Sequence, residues 1–184
     1  MQKIILIINT IRYLKWIQFL YLLRYKIQFI PKYSENSLEL RNKVVSWEWH
    51  PNNVRCTLDG KKFSFIGLTH EISDDWNPKD VQKLWLYNLH YHDILGAKRT
   101  VFPDDKCEEL IKNWIKYNPF FHGNGWEPYC LSLRIVNWVK YISSRGVECT
   151  PVLWLHSLAE QTHALYHQVE YHLRGNHLFS NSKA

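Results

Sequence analysis

The chain has 184 residues, of which 46% are hydrophobic, so it can bury one sizeable core and is not a disordered tail. Seven Gly, seven Pro and no block of five like charges exclude low-complexity and collagen-like classes. The net charge of +6 favours an anionic partner, which can be a nucleic acid, a membrane surface or an acidic polysaccharide, unless the excess is merely spread out. Nine Trp and eleven Tyr supply rings that fill cores and also stack on sugars, bases and lipid interfaces.

The N-terminal segment is apolar, aromatic and basic. Residues 1–8 read MQKIILII, but polar residues interrupt the run and no small-residue cleavage site follows, so a signal peptide is weakly supported. A transmembrane helix needs about 20 mostly apolar residues in a row, and the basic residues of this region interrupt every stretch of that length. We therefore expect a helix over residues 4–30, ended by Pro31, that either lies on an anionic membrane surface or packs on a neighbouring domain.

A change of periodicity divides the rest of the chain. Residues 32–43 are polar and predict a linker or loop, and residues 44–66 contain short runs of β-forming residues around Asp59-Gly60, which predicts a hairpin. Helical spacing then begins at Asn77-Pro78, interpreted as an N-cap followed by a first-turn proline. The predicted domains are 1–32, 33–76 and 77–184.

Four helices are predicted after residue 77, with bounds set by proline, glycine and helical spacing. They are expected at residues 80–95, 103–118, 128–143 and 150–173. Gly175 is interpreted as a helix-terminating residue. Residues 178–184 begin another helical segment without a cap, so we expect the polypeptide to be a fragment or a truncated product.

Four segments together resemble one protein family. They are TIRYLKWIQFLYLLRYK (10–26), LWLYNLHYHDIL (84–95), GWEPYCLSLRIVNWVKY (125–141) and QVEYHLRGNHLFSNSKA (168–184). In this order they are similar to the N-terminal helical domain of heparinase II/III-like polysaccharide lyases of the bacterial cell envelope. The resemblance implies a mainly α fold: an incomplete (α/α) toroid of antiparallel helical hairpins, preceded by the β-hairpin and the basic aromatic helix. In the family a C-terminal β-sandwich follows.

The resemblance also implies a reaction, the β-elimination of uronic-acid-containing glycans. A base removes the proton at C5, and the sugar carboxylate beside C5 must be neutralised for the carbanion to form. In the family an Asn beside a His performs this role, and Asn176 and His177 match that motif. The amide donates hydrogen bonds, and the imidazole donates or carries charge near neutral pH. The tyrosine and the sandwich histidine of the family are expected beyond Ala184, so the chain alone should be catalytically incomplete.

Further candidates for substrate binding lie on the predicted helices. A polar cluster is formed by Asn88, His90, Tyr91 and His92, and a stacking surface with a cation is formed by Trp126, Tyr129 and Arg134. The alternative is structural: the polar cluster satisfies buried groups between helices, Trp126 belongs to the core, and Arg134 pairs with carboxylates such as Glu127 or Glu170.

No cofactor or metal is predicted. His163 and His167 are spaced i, i+4, but a HExxH glutamate and a third ligand are missing from the pattern. The four widely spaced cysteines predict reduced buried thiols. The expected partner is an acidic polysaccharide, with an anionic membrane surface as a further partner of residues 4–30. No nucleic-acid-binding motif is present. The alternative function is a non-catalytic module that binds glycan or a membrane surface during surface-polysaccharide assembly.

Overall fold

The structure, a computed structural model, describes residues 12–27, 29–33, 48, 50–52, 54, 56–173 and 175–184. Across this part the chain is mainly helical and carries a small antiparallel sheet, which confirms the predicted fold class at this level. The helices are α1 (Trp16–Ile27), α2 (Lys83–Tyr91), α3 (Asp104–Tyr117), α4 (Pro128–Arg145), α5 (Val152–Gln168) and α6 (Gly175–Lys183).

The sheet has three short strands in chain order, β1 (Thr57–Asp59), β2 (Lys62–Phe65) and β3 (Leu68–Glu71). The predicted Asp-Gly turn is confirmed, because Asp59 pairs with Lys62 and Gly60 takes a φ of 58°, which glycine adopts at little cost. The third strand was not predicted. Most of residues 44–49, at the start of the segment of β-forming residues, lie outside the described residues.

Helices α3, α4 and α5 alternate in direction, so that each runs antiparallel to the next one in the sequence. The start of α3 meets the end of α4, where Glu108 Oε1 lies 2.8 Å from Arg145 Nη1. The other end of α4 meets the end of α5, because Gln168 donates to the carbonyl of Trp126, just before α4. Helix α2 runs parallel to α4, since Lys83 bonds Glu127 at one end and Asn137 donates to the carbonyl of Tyr91 at the other.

Helix α4 is the central helix of this arrangement, because it contacts α2, α5 and α6. Helix α3 contacts α5. Trp114 of α3 lies at the centre of the core, with ring centroids 5.8 Å from Trp138 and 5.9 Å from Trp126. The sheet joins this core through Trp85 of α2, whose ring packs 5.1 Å from Phe65.

Several predicted helix boundaries are wrong. Helix α2 ends at Tyr91 rather than at residue 95, and α5 ends at Gln168 rather than at residue 173. Helix α2 begins at Lys83 rather than behind Asn77-Pro78, because the Asn77 carboxamide is used elsewhere: its Oδ1 accepts from the backbone N–H of Asn124 at 2.7 Å. Gly175 begins a helix instead of ending one, although its φ of 56° is left-handed. The preceding helix already ends at Gln168, and a turn at residues 171–173 follows it.

Helix α1 lies on the surface of the folded chain. Gln18 donates to the carbonyl of His172 at 3.0 Å, and the ring of Tyr25 lies 5.0 Å from the His172 ring. Of the predicted helix over residues 4–30, α1 thus covers only Trp16–Ile27, because residues 14–15 and 29–30 are not part of it, and residues 4–11 and 28 lie outside the described part. Within the described residues, none of the helices combines the length and apolar character needed to cross a bilayer.

Candidate functional site

Asn176 and His177 lie in the first turn of α6, at the surface. The side chain of Asn176 is exposed and that of His177 is partly exposed. The first turn of a helix presents backbone N–H groups without helical acceptors and the positive end of the helix dipole. Amide, imidazole and helix terminus together therefore form a surface spot that suits an anionic group.

A buried carboxylate orients His177. Its Nδ1 lies 3.0 Å from Oε2 of Glu170, and the Glu170 side chain is 8% exposed against 39% for His177. Asn181 Oδ1 accepts from the backbone N–H of Glu170 at 2.9 Å and so fixes the turn. Because a carboxylate only accepts, Nδ1 carries the proton, and Nε2 is an acceptor in the neutral ring but a donor in the protonated ring. The ring of Tyr129 lies beside it at 4.5 Å.

A second carboxylate lies at the same end of α4. Glu127 accepts from the hydroxyl of Tyr87 and pairs with Lys83 at 2.9 Å. Burial and the nearby carboxylates of Glu170 and Glu127 raise the pKa of Tyr25 to about 12. Both carboxylates therefore have hydrogen-bonding partners, and α1 borders the site through Tyr25.

Comparisons with protein-family models, curated proteins and solved structures found no match. The family resemblance of the sequence therefore stays a hypothesis, and the chemistry of the site must be argued from its own geometry.

Four of the predicted substrate-binding residues are core residues in the structure. His90, His92, Trp126 and Arg134 are at most 3% exposed, which corrects their predicted contact with a glycan. The indole N–H of Trp114 donates to His90 Nδ1 at 3.1 Å, and Trp138 donates to His92 Nδ1 at 2.9 Å. These histidines satisfy buried polar groups between helices, which was the structural alternative.

Arg134 is buried without the ion pair that the alternative assigned to it. Its Nε donates to Gln161 Oε1 at 2.8 Å, its Nη1 donates to the carbonyl of His90 at 3.1 Å, and its guanidinium lies 3.9 Å from the Trp114 ring centroid. Burial lowers the pKa of Arg134 to about 9. Glu127 instead pairs with Lys83, and Glu170 pairs with His177.

The remaining predicted residues differ in position. Tyr129 is partly exposed beside His177, whereas Tyr91 is buried with its ring 5.9 Å from Tyr129, so it supports the site from beneath. Asn88 is partly exposed and donates to the carbonyl of Leu84 on its own helix at 2.8 Å. Of the predicted set, the structure brings together Tyr129, Asn176 and His177, with Tyr91 below them.

A cavity of about 80 Å³ lies elsewhere, between the sheet and α3. Its walls include Leu58, Phe63, Ile72 and Leu110, with Lys106 and Glu109 near them. Asn176, His177 and Tyr129 do not line it, so it is separate from the site at α6.

The described residues contain no group of three or more His, Cys, Asp or Glu side chains that could hold a metal ion. His163 and His167 have ring centroids 4.6 Å apart, and His163 Nε2 lies 3.0 Å from the carbonyl of Pro31. The cysteines are unpaired, and burial raises the pKa of Cys130 to about 12 and of Cys107 to about 11.

Sequence reasoning missed the residues that orient the site. Glu170 was considered only as a partner of Arg134, and Tyr25, Lys83 and Tyr87 were not considered. Spacing within the last resembling segment, residues 168–184, offered one indication, because Glu170 precedes His177 by seven residues across a turn. A turn of unknown geometry does not reveal whether two such side chains meet.

Proposed function

We propose that this chain supplies the helical half of a site that binds a uronic-acid-containing polysaccharide and cleaves it by β-elimination. Asn176 and the protonated ring of His177, in which Nε2 also donates, neutralise the sugar carboxylate during removal of the C5 proton. The observation that carries the proposal is the exposed pairing of an amide and a carboxylate-oriented imidazole in the first turn of α6. The groups that transfer protons are expected from the resemblance outside this sequence.

The helix arrangement supports a partial α/α toroid as the scaffold of that site. An α/α toroid is built from antiparallel helical hairpins in two layers. Helices α2 and α6 both contact α4, α3 contacts α5, and α3, α4 and α5 alternate in direction. The proposed site lies where α6 meets the start of α4, at Asn181 and Pro128.

The geometry gives each residue a separate role toward a pyranose acid. The Asn176 amide and the N–H groups of the first turn donate to the carboxylate. Glu170 holds the His177 ring at 3.0 Å, so the ring is fixed before the ligand arrives, and this lowers the entropic cost of binding. The partly exposed ring of Tyr129 offers an apolar face for the sugar.

The first test is titration calorimetry of this chain with an oligouronate and with the same oligosaccharide after reduction of its carboxyl groups. Binding should be restricted to the charged ligand, because the donors of Asn176 and His177 address the carboxylate. Asn176→Ala and His177→Ala should each weaken binding about tenfold, the cost of one charge-assisted hydrogen bond. The matched control is His122→Ala, an exposed histidine outside the site. Equal binding of the reduced ligand, or equal affinity of all variants, would refute the site.

β-Elimination has its own readout, the ultraviolet absorbance of the C4–C5 double bond in the unsaturated product. A longer chain that carries both halves of the active site should form this product, and Asn176→Ala should slow it on the order of a hundredfold. Glycan binding that leaves the product absent in such a chain would remove the lyase reaction and keep only the binding function.

A further inference from the structure

The net charge of the protein is concentrated at one end. Residues 1–34 contain six of the 23 Lys and Arg and none of the 17 Asp and Glu, so residues 35–184 carry 17 of each and are balanced. Four of those six cations, Arg12, Lys15, Arg24 and Lys26, lie on or beside α1 with exposed side chains. The excess of +6 is therefore a property of the α1 region and is not spread over the surface.

Helix α1 has two opposite faces. Gln18, Tyr21 and Tyr25 point to the turn at residues 171–173, where the Tyr21 and Tyr171 rings lie 4.9 Å apart. With about 100° per residue, Trp16 lies about 200° from Gln18 and so faces away from the fold.

The outward face is apolar. Trp16, Leu20, Leu23 and Ile27 follow the spacing i, i+4, i+7, i+11, which places them on one stripe. They are 73%, 48%, 50% and 75% exposed. A continuous exposed stripe of this kind marks an interaction site, because isolated domains seldom leave four large apolar side chains in a row in water.

We propose that the outward face of α1 docks on the surface of an anionic lipid membrane. The occupant is set by charge: an apolar stripe flanked by cations and free of carboxylates complements anionic headgroups above acyl chains. A second copy of this chain would bring the same cations against each other and would meet repulsion. Because the inner face of α1 contacts His172, which lies two residues after Glu170, docking would hold the candidate site close to the membrane.

The test is co-sedimentation of the full chain with vesicles of phosphatidylglycerol and phosphatidylcholine, and with vesicles of phosphatidylcholine alone. Binding should require the anionic lipid and weaken as salt rises, because salt screens the surface charge. Leu20→Glu/Leu23→Glu should lower affinity on the order of a hundredfold, through lost apolar burial and added repulsion. The matched control is Val101→Glu/Val152→Glu, which changes two exposed apolar residues and the same net charge away from α1.

A second pair of variants tests whether vesicle binding depends on the position of the cations or only on the net charge of the protein. Lys15→Gln/Arg24→Gln should weaken vesicle binding on the order of tenfold or more, whereas Lys79→Gln/Lys98→Gln, also exposed, should leave it unchanged. Trp16→Phe should abolish the blue shift of tryptophan fluorescence on vesicle addition, since Trp16 is the ring of the outward stripe.

Three outcomes would overturn the proposal. The first is a lack of binding to anionic vesicles, and the second is equal binding by the α1 variants and their controls. The third is a dimer in light scattering that Leu20→Glu/Leu23→Glu disperses while vesicles do not bind, which would assign the face to a second copy. None of these outcomes involves glycan binding, so they do not bear on the site at α6.

Discussion

His90 and His92 are held neutral by two tryptophans. An indole N–H only donates, so the bonds from Trp114 and Trp138 require both Nδ1 atoms to accept and place each ring proton on Nε2. Burial, followed by the charge of Arg134, lowers the pKa of His90 to about 3 and that of His92 well below its usual value. The two rings are thus internal parts of the fold that resist protonation.

These lowered pKa values make stability depend on pH. Between the folded pKa of His90, about 3, and its ordinary value of 6.5, the unfolded chain binds more protons than the folded chain. The stabilisation is therefore fully present above about pH 6.5 and is lost as pH falls, at roughly 1 kcal/mol per pH unit per histidine. Urea unfolding followed by tryptophan fluorescence at pH 7 and pH 5 measures this loss.

His90→Gln should reduce that pH dependence, because glutamine can accept from Trp114 and does not titrate. Exposed His122 provides the control, and His122→Gln should keep the wild-type dependence. An unchanged loss in His90→Gln would mean that His90 does not drive the acid sensitivity.

The sequence could not distinguish the buried His90 and His92 from the partly exposed His177. His90 and His177 both lie in polar, aromatic stretches, and helical spacing gives only relative direction along one helix. Helix α2 contacts both α4 and the sheet, so its polar side chains point inward on more than one side. His177 escapes burial because it lies in the first turn of a helix that contacts mainly α4, and its glutamate partner comes from the preceding turn.

At the scale of elements, the sheet depends on α2. Three strands of three or four residues are too short to be stable alone. Trp85 attaches them, because its indole N–H donates to the carbonyl of Leu68 at 3.0 Å and its ring packs on Phe65. The side chain is fully buried.

Trp85→Phe should keep most of the ring contact and lose the hydrogen bond, at a cost of about 2 kcal/mol in the free energy of unfolding. Amide exchange in β2 and β3 should accelerate more than exchange in α4. Trp16→Phe, at an exposed position, should change stability by less than about 0.5 kcal/mol. Equal acceleration in the sheet and in α4 would show that the sheet and helices open as one unit.

Element boundaries were predictable where local chemistry alone decides them. Pro128 is at the start of α4, and Asp104 and Asp105 open α3 where carboxylates favour the helix dipole, as predicted. The predictions at Asn77 and Gly175 were wrong. Asn77 binds the distant backbone of Asn124, and the helix that Gly175 was expected to end stops earlier, at Gln168. Strand β3 was missed because its sequence, LTHE, has only one apolar residue and so lacks the pattern of a strand. Its extended conformation comes from pairing with β2.

For the whole molecule, the structure separates an inner body from a surface-attached helix. Helix α1 contains no buried residue, and its described contacts with the turn at residues 171–173 are one hydrogen bond and two ring pairs. Ile30 and the Pro31 carbonyl, which bonds His163, anchor the chain just after α1. The core built around Trp114 does not include α1.

Deletion of residues 1–28 should therefore leave a folded protein while removing the membrane interface. Loss of the α1 contacts should cost about 2 kcal/mol, which for a chain of this size lowers Tm by less than about 8 °C. Calorimetry should still show one cooperative transition, the net charge should fall by five, and vesicle binding should disappear. Glycan binding at Asn176 and His177 should remain, because the contacts that hold Glu170 come from Asn181 and His177. A broad, non-cooperative transition would instead show that α1 is needed for cooperative folding. The apolar stripe of α1 would then have a role in folding.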